Sequence, residues 1–254
     1  MKKRYLAVSG IIFLAAAVCA GIGIWRYLQQ QDAGDGYSAI RTEVGSGIIP
    51  RERESPESVK VEIPIDFDAL QARNPDVYAW IAIPGTAIDY PVLQSETDNT
   101  YYLTHTIDGA ESPEGSIYTE TYNSRDFEDP NTVIYGHDMA NGSMFQNLLS
   151  YQDKSFFEAN REVLVYTPDA IRHYRIFAAY VYDDRHLMQS FNFEDKEIYR
   201  QYLESVFSIR EMGAYIDSAQ TVTEKDKIIT LSTCYGNQAD RRYLVQAVLI
   251  SIEK

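Results

Sequence analysis

Along the chain the spacing of apolar positions changes several times, and each change predicts a different kind of element. From Tyr5 to Trp25 no charged residue occurs. As a helix this run would reach about 31 Å, roughly the thickness of a hydrocarbon core. Residues 28–60 are instead rich in Gln, Asp, Gly, Ser, Glu and Arg, which predicts a linker with at most a short helix around Tyr37–Val44. Beyond Val61 the pattern is that of a folded domain. Asp66–Arg73 reads as a short helix stopped by Asn74-Pro75, since the residue before proline is pushed out of the helical region. Val77–Trp80 reads as a turn that leads into a short strand at Ile81–Ile83.

Short β-type runs then recur at Ile88–Leu93, Gly115–Thr119, Thr132–Tyr135, Val163–Thr167, Arg172–Tyr182, Lys227–Thr233 and Arg242–Ile252, separated by turn residues such as Asp108-Gly109 and Pro168-Asp169. About eight strands with few helices predict a mostly β fold with peripheral helices, a closed or nearly closed barrel or a sandwich. One segment departs from this. Glu194–Glu211 carries Ile198, Tyr199, Tyr202, Leu203, Val206 and Ile209 at helical spacing. Asn192 is its expected cap, with Glu194 and Asp195 at the positive end of the dipole.

Lys2, Lys3 and Arg4 precede the apolar run. They predict a short N-terminus inside and everything after the span outside. Val18-Cys19-Ala20 also resembles a signal-peptide cleavage site, but the apolar run continues past it to Trp25, which favours an uncleaved anchor. The expected organisation is therefore a basic flank and single transmembrane signal-anchor over 1–28, an extracellular linker over 29–60 and a folded domain over 61–254. The expected location is the cell membrane, single-pass, with the domain extracellular.

The net charge is −14 over 254 residues, and the four bases before residue 27 leave the remainder more acidic still. Nucleic acid is a poor partner for such a surface. The 45% hydrophobic content, with 20 Tyr and 10 Phe, supplies a real core.

Cysteine usage changes the picture most. The chain has two cysteines, and Cys19 lies within the apolar run, so Cys234 has no partner in its own chain. A lone thiol in a domain outside the cell is either a small buried hydrophobe, half of a bond between chains, or reactive. The Cys-bearing strand and the strand from Arg242 are joined by a short connection, which favours an antiparallel hairpin. Cys234 then lies close to Arg242, and a cation there favours the nucleophilic thiolate. Arg241 should face the other way.

Four histidines could serve as acid or base. His173 falls inside a strand and reads as structural, and His186 reads as an exposed loop group. His105 is plausible in a partly buried loop. His137 directly follows a strand and a glycine, where side chains are aimed out of a sheet edge. No His or Cys pair stands at metal-ligand spacing. There is no phosphate-cradling loop and no Ser in a G-x-S-x-G setting, so no metal or cofactor is expected.

"TLSTC" at 230–234, with Arg242 heading the next strand, resembles the active-site signature of sortases, cysteine transpeptidases of bacterial cell surfaces. "VIYGHDM" at 133–139 is similar to the family's histidine segment. "NPDVYAWIAIPGTAIDYPVLQ" at 74–94, "YYLTH" at 101–105, "GSIY" at 115–118 and the long helix before the Cys strand resemble the class B branch. The resemblance extends over about 61–254. It implies an eight-stranded barrel that cleaves a C-terminal sorting motif of surface proteins after Thr and passes the acyl group to a cell-wall or pilin amine. It also implies Cys234 as nucleophile, His137 as acid/base and Arg242 as oxyanion stabiliser, with Ser232, Thr233 and Tyr235 bordering the substrate. Asp138 departs from the family's frequent Asn. The competing readings are another cell-wall cysteine peptidase or an L,D-transpeptidase, and a non-catalytic surface binding module with a buried thiol. Against the L,D-transpeptidase, Ser232-Thr233 precede the Cys where His-Gly is expected.

Overall fold

The computed structural model describes residues 20–22, 24, 36–48, 61–236 and 238–254. Among them no helix is long and apolar enough to cross a membrane. Most of the apolar run from Tyr5 to Trp25 lies outside the described residues.

Nine strands form among the described residues: β1 (Val77–Ala82), β2 (Asp89–Leu93), β3 (Ile117–Thr119), β4 (Asn131–Tyr135), β5 (Glu162–Thr167), β6 (Ala170–Asp183), β7 (Tyr215–Ile216), β8 (Ile228–Tyr235) and β9 (Gln238–Glu253). Their order is β5-β1-β2-β3-β4-β8-β9-β6-β7, and β5 pairs again with β6. That second pairing closes eight strands into the expected barrel and removes the exposed edges an open sheet would carry. Two pairings are parallel, β2–β3 and β4–β8. β7 is a short addition outside the ring, paired to β6 alone.

Strand β1 begins at Val77, so the stretch read as a turn from sequence is extended chain. Its six residues are all buried, because the segment 45–48 lies across the outside of β1 and β5. Gly47 sits so close that a Cβ there would be 2.7 Å from the Ala82 methyl and 2.8 Å from the Tyr166 ring. Burial on both faces erases the alternation that marks a half-buried strand.

Among the described residues, six helices and one 3-10 turn decorate the barrel. The helix at 36–44, α1, buries Tyr37, Ile40 and Val44, a spacing that puts all three on one face. The packed structure thus begins upstream of Val61, and residues 36–48 are part of the domain rather than a free linker. Helix α2 (Phe67–Arg73) is capped by Asp66, whose side chain accepts from Ala69 N. Helix α3 is Tyr101–Thr104, α4 is Lys154–Ala159 and α5 is Leu187–Ser190, with a 3-10 turn at Gln146–Gln152.

The long helix α6 (Lys196–Phe207) is shorter than its apolar pattern, and Asp195 rather than Asn192 caps it. The Asp195 carboxylate accepts from Glu197 N and Ile198 N, a contribution of about 1 kcal/mol for a good cap. Asn192 instead closes a turn by accepting from Glu194 N. Tyr199, Tyr202, Leu203 and Val206 of α6 pack on the outside of the barrel against Phe177, Tyr180, Leu244 and Val248.

Candidate active site

Strands β4 and β8 run parallel and in register, Tyr135 opposite Ser232. His137 and Cys234 are each two residues beyond that pair. With a side-chain period of two, both return to the face that Tyr135 and Ser232 occupy, at the carboxyl ends of neighbouring strands. Gly136 N donates to Ser232 O at 3.1 Å and extends the ladder to the residue before His137. A Cβ on Gly136 would lie 2.4 Å from Ile117 Cδ1 and 2.8 Å from the Phe145 ring, so the close approach requires glycine.

The expected hairpin is present and tighter than its sequence suggested. Strand β8 ends at Tyr235 and β9 begins at Gln238, and Cys234 is the register partner of Arg242. The register shifts immediately afterwards, Tyr235 lying opposite Gln238. This bulge absorbs Ala239, Asp240 and Arg241 next to the thiol, a position where bulges commonly re-aim side chains. Directly opposed residues share a face, so Arg242 lies on the Cys234 side. Its Nη1 donates to the carbonyls of Ala239, at 3.0 Å, and Arg241, at 2.9 Å. Arg241 is exposed and pairs in register with Asp183 of β6.

Cys234, His137 and Arg242 line one cleft of about 270 Å³. Ser232 and Thr233 also border it, both buried, with the Thr233 hydroxyl unpaired. Tyr235 does not reach it. Its ring stacks on Tyr243 and its hydroxyl donates to Gln152 at 3.0 Å, because alternation turns it to the face opposite Cys234.

The His137 ring is anchored on one side. Nε2 lies 2.7 Å from the carbonyl oxygen of Leu103. A carbonyl only accepts, so Nε2 carries the proton and Nδ1 is left to exchange protons. The Leu103 segment is itself tightly placed. Gly115 has φ of +52°, and a Cβ on it would fall 2.4 Å from Tyr102 O and 2.6 Å from Leu103 O. Asp138 is partly buried, which pushes its carboxyl above the usual range, while the Gly236 N–H works against that rise. The contact ties the histidine loop to the turn that follows the cysteine.

The other histidines are placed elsewhere. His105 stacks on Tyr101 at 4.0 Å and its Nδ1 donates to Tyr101 O at 2.9 Å, outside the cleft. His173 lies between Glu162, at 3.4 Å, and Glu253, at 2.8 Å. His186 differs from its reading as an exposed loop group. It is half-buried in the cleft wall, with Nε2 2.5 Å from Glu120 Oε2.

Sequence reasoning did not find Glu120 or its pairing with His186, the two following β3 and β6. It also missed Tyr118, whose phenol is pushed up by burial, then by Glu120 and Cys234, against Arg242. The hydroxyl of Tyr182 belongs to the same region and has no hydrogen-bond partner among the described residues.

A sortase domain model matches residues 81–250. Sortase B of Listeria monocytogenes is 36% identical over 233 residues, covering 92% of this chain and 89% of the relative. Sortase B of Staphylococcus aureus is 26% identical over 253 residues, 98% of each. Among solved structures, Clostridium perfringens sortase B superposes with a TM-score of 0.66 at 32% identity, over 73% of this chain and all of that one. Sortase B from Bacillus anthracis gives 0.73 at 27% identity, over 89% and 99%. A closed barrel with a thiol, an imidazole and a guanidinium in one cleft, and relatives alike along most of their length, lead to one conclusion: the chain belongs to the sortase family, in its class B branch, and is a cysteine transpeptidase of the kind that anchors proteins to the cell wall.

Proposed function

We propose that Cys234 is the nucleophile, His137 the acid and base, and Arg242 the oxyanion donor of a two-step acyl transfer on the sorting signal of surface proteins. The observation that carries this reading is the convergence of these three side chains, from β4, β8 and β9, in one cleft. Cys234 passes its thiol proton to His137 Nδ1 as its sulfur attacks the Thr carbonyl carbon of the motif, and the negative oxygen forms opposite the Arg242 fork. As the C–N bond breaks, His137 Nδ1 gives its proton to the leaving amine, and a thioester remains. An amine of the cell wall or of a pilin then attacks the thioester, His137 takes its proton, and the leaving sulfur takes that proton back as the thiol.

The unpaired hydroxyl of Tyr182 in the cleft wall supports a peptide substrate, since buried polar atoms are normally satisfied and an extended chain brings donors and acceptors. The apolar run at 5–25 supports a membrane anchor with the barrel outside the cell. The segment before residue 36 would be the tether.

The test is incubation of the full chain, in detergent micelles, with a library of sorting peptides and a primary amine, read by mass spectrometry. Cleavage after Thr with amine capture is expected, and Cys234→Ala should give neither product. Turnover above background in that variant, or hydrolysis unaffected by any amine, would overturn the assignment.

A further inference from the structure

Helix α1 stands apart from the barrel in sequence, yet two chains of contacts run from it to His137. The first starts at Tyr37, which is 5% exposed. Its hydroxyl donates to Gly115 O at 3.0 Å and lies 3.2 Å from Ser116 Oγ. Ser116 Oγ in turn donates to His105 O at 2.9 Å, and Ser116 N to Tyr102 O at 2.9 Å. These bonds bracket Leu103, the residue whose carbonyl accepts from His137 Nε2. Burial pushes the Tyr37 phenol up, which keeps it a neutral donor.

The second chain passes through rings. Tyr37 meets Tyr90 edge to face at 5.3 Å, and Arg41 of the same helix lies over the Tyr90 ring at 5.6 Å. Tyr90 Oη accepts from Met144 N at 3.0 Å. Met144 holds φ of +57°, a conformation that costs a non-glycine residue energy and persists only when its surroundings impose it. It bridges to Asp138, and its neighbour Phe145 donates to His137 O at 2.9 Å.

We infer that α1 is a brace for the acid/base residue, with Tyr37 as the positioning residue that fixes both the ring of His137, through Leu103, and its backbone, through Tyr90 and Met144. The inference rests on the role given to His137 above. Without the brace the Leu103 carbonyl is free to drift, the Nε2–H bond loosens and the imidazole samples the other tautomer. Peptide binding, which draws on the cleft walls, is affected less than the proton transfers, which need fixed geometry.

The experiment uses the full chain with nitrogen-15 histidine, the His137 signals being assigned by their loss in His137→Ala. In Tyr37→Phe, which keeps the ring and removes the hydroxyl, kcat should fall about 10-fold with KM nearly constant. The His137 nitrogen shifts should move away from a pure Nε2–H pattern. Unchanged His137 shifts, whatever happens to kcat, would overturn the inference. Should Tyr37→Phe fail to fold, Tyr90→Phe, which removes the acceptor of Met144 N, is read in the same way and decides it. The two readings separate cleanly: an active His137→Ala removes the catalytic role, whereas the nitrogen shifts report the brace independently of turnover.

Discussion

Cys234 and Arg242 are register partners across the β8–β9 hairpin, while Arg241, one residue earlier, pairs with Asp183 on the far side of β9. Alternation thus commits a single arginine to the thiol. Arg presents parallel donors in a rigid fork, whereas Lys presents a point charge. If the fork matters as an aimed donor, Arg242→Lys should lose turnover nearly as fully as Arg242→Ala, by about 10²–10³, and Arg241→Ala should stay within a few-fold of the parent. Steady-state kinetics on a cleaved peptide measure all three. A crippled Arg241→Ala beside a normal Arg242→Ala would reverse the assignment.

His137 and His105 provide a matched pair of substitutions. Among the described residues the His137 ring makes one polar contact, to Leu103 O, so His137→Ala should abolish turnover and change the melting temperature little. His105 stacks on Tyr101 and bonds its carbonyl. Its replacement by Ala should lower the melting temperature by a few degrees, the scale of about 1 kcal/mol, and leave a substantial share of activity. Thermal scans and turnover on the same preparations distinguish the two roles, and the opposite pattern would exchange them.

Gly136→Ala is expected to be costly for a reason that involves no chemistry. The added Cβ meets Ile117 and Phe145, both fully buried, and overpacking of this kind typically costs about 1–3 kcal/mol. Relief would come by displacing the strand end that carries His137. Denaturant midpoint and kcat should therefore fall together, and retention of both would mean that the β4 end is softer than its packing indicates.

Asp138 gives a pH dependence of stability. Its carboxyl is raised by burial in the folded state, so the folded protein holds that proton more tightly than the unfolded chain. The contribution favours folding at acid pH and is lost as pH rises through the raised value. Asp138→Asn, which keeps an oxygen for the Gly236 N–H, should raise the denaturant midpoint at neutral pH and gain little below the ordinary carboxylate range. A gain independent of pH would mean that the carboxyl's ionisation is not its source.

Some of this arrangement is legible in the chain and some is not. The Cys234–Arg242 pairing could be read because both residues belong to one hairpin, and a short connection leaves little choice of partner. Helix α6 could be read because its stripe of Tyr and Leu has one period throughout. Strand β1 could not, since burial on both faces leaves no alternation. Glu120 and His186 could not be joined in advance, because they meet only after β3 and β6 take their places in the barrel. Tyr37, Ile40 and Val44 do carry helical spacing, but three apolar residues amid polar sequence do not say what they will cover.

The parallel pairing of β4 with β8 joins residues roughly a hundred positions apart in the chain, contacts that form slowly because a long loop must close before they bring any return. The thiol and the imidazole therefore come together only when the ring itself does. Neither half of the polypeptide contains a working fragment, and no local unit can acquire activity ahead of the rest. Turnover is in effect a clock for barrel closure: during refolding it should recover with the slowest structural phase. Activity regained ahead of that phase would mean that the two strand ends find each other before the barrel exists.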